Sequence, residues 1–569
     1  MKFKGLIILL FVGIVVWAKV STNEEFSLAK DLPSGALGYL QTVDLPQLIK
    51  LWSESKLKEK YLASENFADF STSHLGIKLA ERFADFENSI GFSRDLQTLS
   101  SLADKQAAIA VYDIGKLDFV IVSPMNESLF SATMFAQNSS KFEENLLEDG
   151  TKFYQIEFKV DRERRNQKLI FANIKNRFVL ATSEKLFLRT ISAINGKQRL
   201  YDETNFKVLS EKTTLNLATI WVNQEKLNTD YYFKRYWLMS KIDDLQNIRA
   251  GIFDLNFDEK GLTEKREYLL KEPQHSDKLS KIDANELTAK IPENVPFYRL
   301  AKVDENKLGE AIYNTLFDRQ IITKTTKTRA NSWSYRDSDN CCESDYNYLD
   351  SDFDEDVMEI DDEKIVETKP FATGRISSVL NSANPNVLLT ATNPQMLENP
   401  LFVEFRKIAV ISLKNPNNFQ ANQFENSIIE ALKNRVTVAD TNFVWETETG
   451  LRKLKIPLLG REIGYRLEKD KLFIGNSFEF LQDCLSNQNK TGIDAESTTE
   501  LTVIRLQNHE ANFAQIMQKL PVENDGFFVG NIGGLLGVID GVKQIEIRKK
   551  NEGLIIREEI SAVFKQGWF

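Results

Sequence analysis

Segments of this chain recur in the same order along its length, and that recurrence limits the fold more than any other feature. Leu32-Pro33, Tyr39 and Val43-Asp44 reappear as Ile291-Pro292, Tyr298 and Val303-Asp304, with six residues from proline to tyrosine both times. Phe142-Glu143-Glu144-Asn145-Leu146-Leu147 reads against Phe424-Glu425-Asn426-Ser427-Ile428-Ile429. Phe178 to Ser183 reads against Leu472 to Ser477, each after an alternating apolar pair, Leu169 with Phe171 and Ile463 with Tyr465. Near the end of each copy, Phe253, Leu255 and Phe257 alternate before Glu259-Lys260-Gly261, as Ile545 and Ile547 do before Asn551-Glu552-Gly553. These collinear matches predict two tandem copies, residues 31–272 and 291–566, separated by a linker over 273–290.

Within a copy, helical and strand patterns mix without a regular βαβ spacing. Ala36 to Val43 reads as a strand, and Asp44 caps a helix that tolerates Pro46 in its first turn. Leu75, Leu79, Phe83, Phe86 and Ile90 recur at helical spacing and predict a core-facing helix. Ala107 to Tyr112 and Leu117 to Val122 are apolar runs joined by Asp113-Ile114-Gly115-Lys116, a hairpin placed near the middle of a sheet. The expected class is α+β: each copy a mostly antiparallel sheet with packed helices. With 569 residues there is chain enough for a separate core in each.

Lys2 and Lys4 precede an apolar run from Gly5 to Ala18. A basic flank before an apolar core is the order of an export signal, so residues 1–20 read as a signal peptide or an N-terminal membrane anchor. The run covers about 21 Å as a helix, short of the roughly 30 Å hydrocarbon core, and both readings stay open. No second segment is apolar enough for a polytopic membrane fold. Cys341 and Cys342 are adjacent and Cys484 is distant, so no disulfide framework is expected.

One compositional break falls inside the second copy, an acidic flexible insertion over 323–370. From Asp337 to Glu363 there are 13 acidic residues and no Lys, Arg or His. The chain's net charge is −10, so the remainder sums to +3. Such a block cannot offset its own ordering entropy and reads as a solvated loop.

Patterns that resemble chemistry have plainer readings. Asp350, Asp352, Asp354 and Asp356 alternate like calcium ligands, but Glu355 stands where the turn needs glycine and Asp361 where a glutamate should close the site. Gly530, Gly533, Gly534, Gly537 and Gly541 match neither phosphate-loop pattern and read as close helix packing. Lys159, Arg162, Arg164, Arg165 and Lys168 read as a solvated hairpin tip rather than a nucleic-acid patch. His74, His275 and His509 stand apart from any nucleophile motif. Catalytic, cofactor-binding and metal-binding residues are therefore none.

The opening Leu32-Pro33 to Val43-Asp44, the run around Lys105 to Gly115, and the Phe178 to Ser183 strand resemble a broad group of exported bacterial proteins that carry a domain of unknown function. The resemblance implies a periplasmic setting, free or anchored to the inner membrane, and supplies no catalytic residues. The expectation is a non-enzymatic envelope protein whose two modules present a surface to another envelope protein. A binding module for a lipid or other apolar ligand is the alternative, and an uncharacterised enzyme the third reading. No nucleic acid is expected as a partner.

Overall fold

The fold is that of a computed structural model, which describes residues 26–63, 65–72, 74–91, 98, 100–160, 165–211, 213, 215–230, 243–258, 261–275, 278–317, 370–396, 403–433, 443–456, 461–487, 498–505 and 541–565. The N-terminal apolar run, the acidic tract, Cys341, Cys342, His509 and Gly530 to Gly537 lie outside those residues. The chain divides into two compact units. One draws on residues 1–302, 386–412 and 479–569, the other on 303–385 and 413–478.

The strands in chain order are β1 (Gly38–Thr42), β2 (Ala107–Asp113), β3 (Asp118–Pro124), β4 (Glu143–Leu146), β5 (Lys152–Val160), β6 (Arg165–Asn173), β7 (Arg177–Ala181), β8 (Ala218–Val222), β9 (Ile248–Asp258) and β10 (Gly261–His275). They continue with β11 (Phe297–Lys302), β12 (Pro385–Met396), β13 (Val403–Leu413), β14 (Trp445–Glu448), β15 (Leu451–Ile456), β16 (Arg461–Glu468), β17 (Lys471–Gly475), β18 (Glu500–Arg505) and β19 (Val542–Phe564). Helices and a large antiparallel sheet share the chain, as the α+β reading requires.

In the first unit, antiparallel pairings run β4-β5-β6-β7-β3-β2-β1-β8-β9-β10-β19-β18-β11-β12. In the second unit they run β14-β15-β16-β17. The β2–β3 hairpin sits inside the ladder, held at its turn by Asp113 Oδ1, which accepts from the Lys116 N–H at 2.8 Å. Its interior position explains the apolar runs: a strand covered on both faces has no polar face to alternate with.

β19 is folded back on itself. A straight strand of that length would separate its ends by about 75 Å, yet the Lys565 N–H donates to the Gly541 carbonyl at 2.8 Å. The reversal falls at Asn551-Glu552-Gly553, where Gly553 takes φ +67°. The first arm then pairs with β18 from Gln544 to Lys549, and the second with β10 from Ile555 to Val563.

Around β3, β6 and β7 the sheet of the first unit is buried on both faces. On one side, Ile170, Val179 and Ala181 join Leu186, Phe187, Phe206, Leu209 and Trp221. Helices Glu184–Ile194 and Thr204–Ser210 supply Leu186, Phe187, Phe206 and Leu209, and β8 supplies Trp221. On the other side, Leu169, Phe171, Phe178 and Leu180 meet Phe130, Phe135 and Phe142. Phe171 is the centre of that second cluster, with ring centroids 4.9 Å from Phe142, 5.1 Å from Tyr154 and 5.3 Å from Phe135. Local signals set the element starts: Asp44 Oδ1 accepts from the Gln47 N–H at 2.8 Å, and Pro46 occupies the first turn of helix Leu45–Glu54.

Two expectations need correction. Phe142 to Leu147 and Phe424 to Ile429 are different structures, the short strand β4 and the middle of helix Ala421–Lys433. After Leu147, Gly150 at φ +82° turns the chain, whereas Ala431 and Leu432 continue the buried stripe begun by Phe424 and Ile428. Continuation decides the element, and a six-residue match does not contain it. The stripe of helix His74–Ile90 is also not core-facing throughout: Ile90 is buried, but Phe83 is 36% exposed. Periodicity identifies which face of a helix is apolar and says nothing of how far the sheet extends beneath it.

Candidate functional site

The least expected side chains lie where β10 meets the second arm of β19. On one face of β10, Glu264 and Arg266 are 3% and 6% exposed, and Glu558 opposite Arg266 is 7% exposed. The Arg266 guanidinium donates twice to Glu264, Nε to Oε1 and Nη2 to Oε2, both at 2.8 Å. Its Nη1 lies 3.9 Å from Glu558 Oε2. Burial opposes the charge on Arg266, but the Glu264 hydrogen bonds and the two carboxylates outweigh it and raise the pKa. Tyr268, next along the same face, is pushed well up by burial, with Glu558 adding to the effect. On the opposite face, Arg557 Nε donates to Glu267 Oε1 at 2.9 Å. A bidentate guanidinium fixes geometry as well as charge.

One strand inward, Asp254 on β9 is 2% exposed. It accepts from the Thr219 hydroxyl at 2.8 Å and the Asn216 N–H at 3.1 Å, and also from the Asn216 side-chain amide. Burial raises its pKa to about 6 against the effect of those donors. The carboxylate ties the chain before β8 to the sheet, and every donor around it is already committed to it. In the second unit, Glu425 takes a comparable place. Arg452 donates to it through Nε at 2.6 Å and Nη2 at 2.8 Å, and the Tyr465 hydroxyl donates at 2.7 Å. Trp445, Phe424 and Phe419 surround Tyr465 at ring separations of 5.3, 5.2 and 6.1 Å.

The Arg266, Asp254 and Glu425 clusters tie neighbouring elements together through paired charges and hydrogen bonds. Among the described residues, no three His, Cys, Asp or Glu side chains are placed to hold a metal ion. Cys484 is buried, and that burial pushes its thiol up, away from the reactive thiolate.

The surface offers more. Helices Leu45–Glu54, Lys56–Leu62, Glu65–Thr72 and His74–Ile90 follow one another after β1. The first is anchored by Leu48, which packs with Leu217, Ala218 and Leu255. The last is anchored by Phe86, whose ring meets Phe158 at 6.3 Å. Outward, Leu62 is 45% and Ile77 47% exposed, and Ala80 and Ala84 continue an exposed stripe from Ile77 at helical spacing. Among the described residues, no helix is long and apolar enough to cross a membrane.

His74 opens a helix and His275 ends β10, far apart in the chain. Val160 pairs with Arg165 across the β5–β6 hairpin, Lys159 is exposed, and Lys168 pairs with Glu184 at 2.8 Å. Gly541 is the one glycine of its cluster within the described residues, at the closure of β19. The buried Arg266 network was missed in the sequence. Its signal was present: setting Gly261 against Gly553 places Arg266 at the position of Glu558, a reversal of charge between the two segments.

No family model and no curated protein matches the chain. Solved structures of a protein designated TP0453 show a slight likeness. Crystal form IV is 12% identical with a TM-score of 0.24, covering 42% of this chain and 79% of that one. Crystal form I is 9% identical with a TM-score of 0.23, covering 48% of this chain and 86% of that one. A likeness of that degree carries neither fold nor function over to this chain.

Proposed function

We propose that the chain is an exported, non-enzymatic envelope protein, periplasmic or anchored at the inner membrane, that binds another envelope protein through the exposed helical face after β1. The observations that carry this reading are the exposed stripe Ile77, Ala80 and Ala84 and the exposed Leu62, on consecutive helices whose Leu48 and Phe86 pack onto the sheet. Exposed apolar surface of this kind marks contact sites more often than it marks chemistry.

Two tandem copies of one module form the scaffold in this reading. Several correspondences support it. β1 pairs with β2 and β8, and β11 pairs with β12 and β18, with Tyr39 opposite Ala110 and Tyr298 opposite Ala391. β4-β5-β6-β7 and β14-β15-β16-β17 are matching meanders. β7 and β17 each lead directly into a helix, Glu184–Ile194 and Phe478–Ser486. The β9–β10 hairpin corresponds to the two arms of β19.

The test is affinity capture of the tagged full-length protein from native envelope, with mass spectrometry of both proteins and lipids, beside a variant carrying Leu62→Ser and Ile77→Ser. A protein partner retained by the natural chain and lost by the variant is expected. Loss of a lipid instead would favour the apolar-ligand reading, and identical capture by both chains would remove the helical face from consideration.

A further inference from the structure

We propose that β10 is a self-complementary docking edge, built to receive a second copy of the same module, and that this chain's own second copy occupies it. The inference rests on the tandem-copy reading above. Gly261-Leu262 and Gly553-Leu554 open the return arms of the two terminal hairpins, so corresponding positions lie 292 residues apart. Arg266 and Glu558 are 292 apart too, and they are direct cross-strand partners. Antiparallel strands in which a position meets its own equivalent are related by a local two-fold axis through that pair. This is the geometry of an isologous contact, in which one surface patch meets a copy of itself.

The charges beside the axis obey the same symmetry. The residue before the axial position is basic in both arms, Lys265 and Arg557, and the residue after it is acidic in both, Glu267 and Glu559. Across a two-fold axis the residue before meets the residue after, so Lys265 opposes Glu559 and Glu267 opposes Arg557. The pattern basic, axial, acidic therefore matches any copy of itself. A slip of one residue would break every one of these pairs and turn the buried face outward. Among the charged residues at and beside the axis, only the axial one differs in sign between the arms. Arg266 and Glu558 attract one another, whereas two second-copy arms would set Glu558 against itself in a buried position.

The experiment uses the full-length chain with a protease recognition sequence inserted between His275 and Ser280. After cleavage, the two fragments should elute together as a one-to-one species. Arg266→Glu should weaken their association at least 50-fold, and adding Glu558→Arg should restore it to within fivefold. Glu267→Arg, with Arg557→Glu as its rescue, repeats the test at a partly exposed pair where circular dichroism should stay native. Fragments that part on cleavage while natively folded, or swaps that rescue nothing, overturn the proposal. Rescue at Glu267 and Arg557 without rescue at Arg266 and Glu558 overturns self-complementarity and leaves an ordinary joint. Failure of the tandem-copy reading is a separate result: crystallography of the full-length chain would show different strand orders in residues 31–272 and 291–566.

Discussion

At Arg266, two carboxylates and a guanidinium are held away from water, and such a group costs several kcal/mol unless its partners are complete. Arg266→Met should therefore destabilise the chain by about 3 to 5 kcal/mol, because Glu264 and Glu558 lose their counter-charge. Urea unfolding would show it, and a loss under 1 kcal/mol would mean that water already reaches the cluster. Asp254 makes a pH prediction of determined sign. Its folded pKa, about 6, lies above the roughly 3.9 of an unfolded aspartate. The folded state thus holds the proton more tightly, and the stabilisation is complete below about pH 4 and lost as pH rises through about 6. Two pKa units correspond to about 3 kcal/mol. Unfolding curves from pH 4 to 7 for the natural chain and Asp254→Asn should diverge by a component of this sign. Parallel curves would mean that Asp254 titrates normally.

Among the elements, glycines give the sharpest contrast. In the second unit, helices Leu308–Leu316 and Pro370–Asn381 cross at Gly309, whose N–H donates to Ser377 Oγ at 2.8 Å. A Cβ on Gly309 would run into the Thr373 carbonyl oxygen, while one on Gly374 would meet nothing within 4 Å. Gly309→Ala should cost about 1 to 3 kcal/mol by overpacking. Gly374→Ala should be neutral or stabilising by up to about 1 kcal/mol, as expected for an exposed helix interior. Thermal unfolding of the two variants checks the pair, and equal effects would contradict the crossing. The elements themselves were largely legible. Asp44, the β2–β3 turn and the terminal glycines are local signals, and the structure uses them where they stand. What the sequence hid depends on contacts distant along the chain. A run such as Thr263-Glu264-Lys265-Arg266-Glu267 reads as a solvated strand, and only β9 on one side and β19 on the other enclose alternate residues of it. The likeness of Phe142 to Phe424 misled for the converse reason: it is local, and the residues after it decide between strand and helix.

At the scale of the whole molecule, the β9–β10 hairpin and the two arms of β19 meet along β10. An edge strand left open is a liability that natural sheets cover or charge. Here β10 is covered by an arm from nearly three hundred residues further along the chain. The most direct test places cysteines at Thr263 and Ser561, which are cross-strand partners, in a chain with Cys341 and Cys342 replaced by serine. Opposed strand residues bring their Cβ atoms to about 4.5 to 5.5 Å, close enough for a disulfide to form with small adjustments. The account predicts that mild oxidation cross-links the pair within the monomer, so that the chain cut between His275 and Ser280 migrates as one species without reductant. A control pairing Thr263→Cys with Val542→Cys should not cross-link. Equal yields from both pairs, or none from the first, would contradict the pairing of β10 with the second arm of β19.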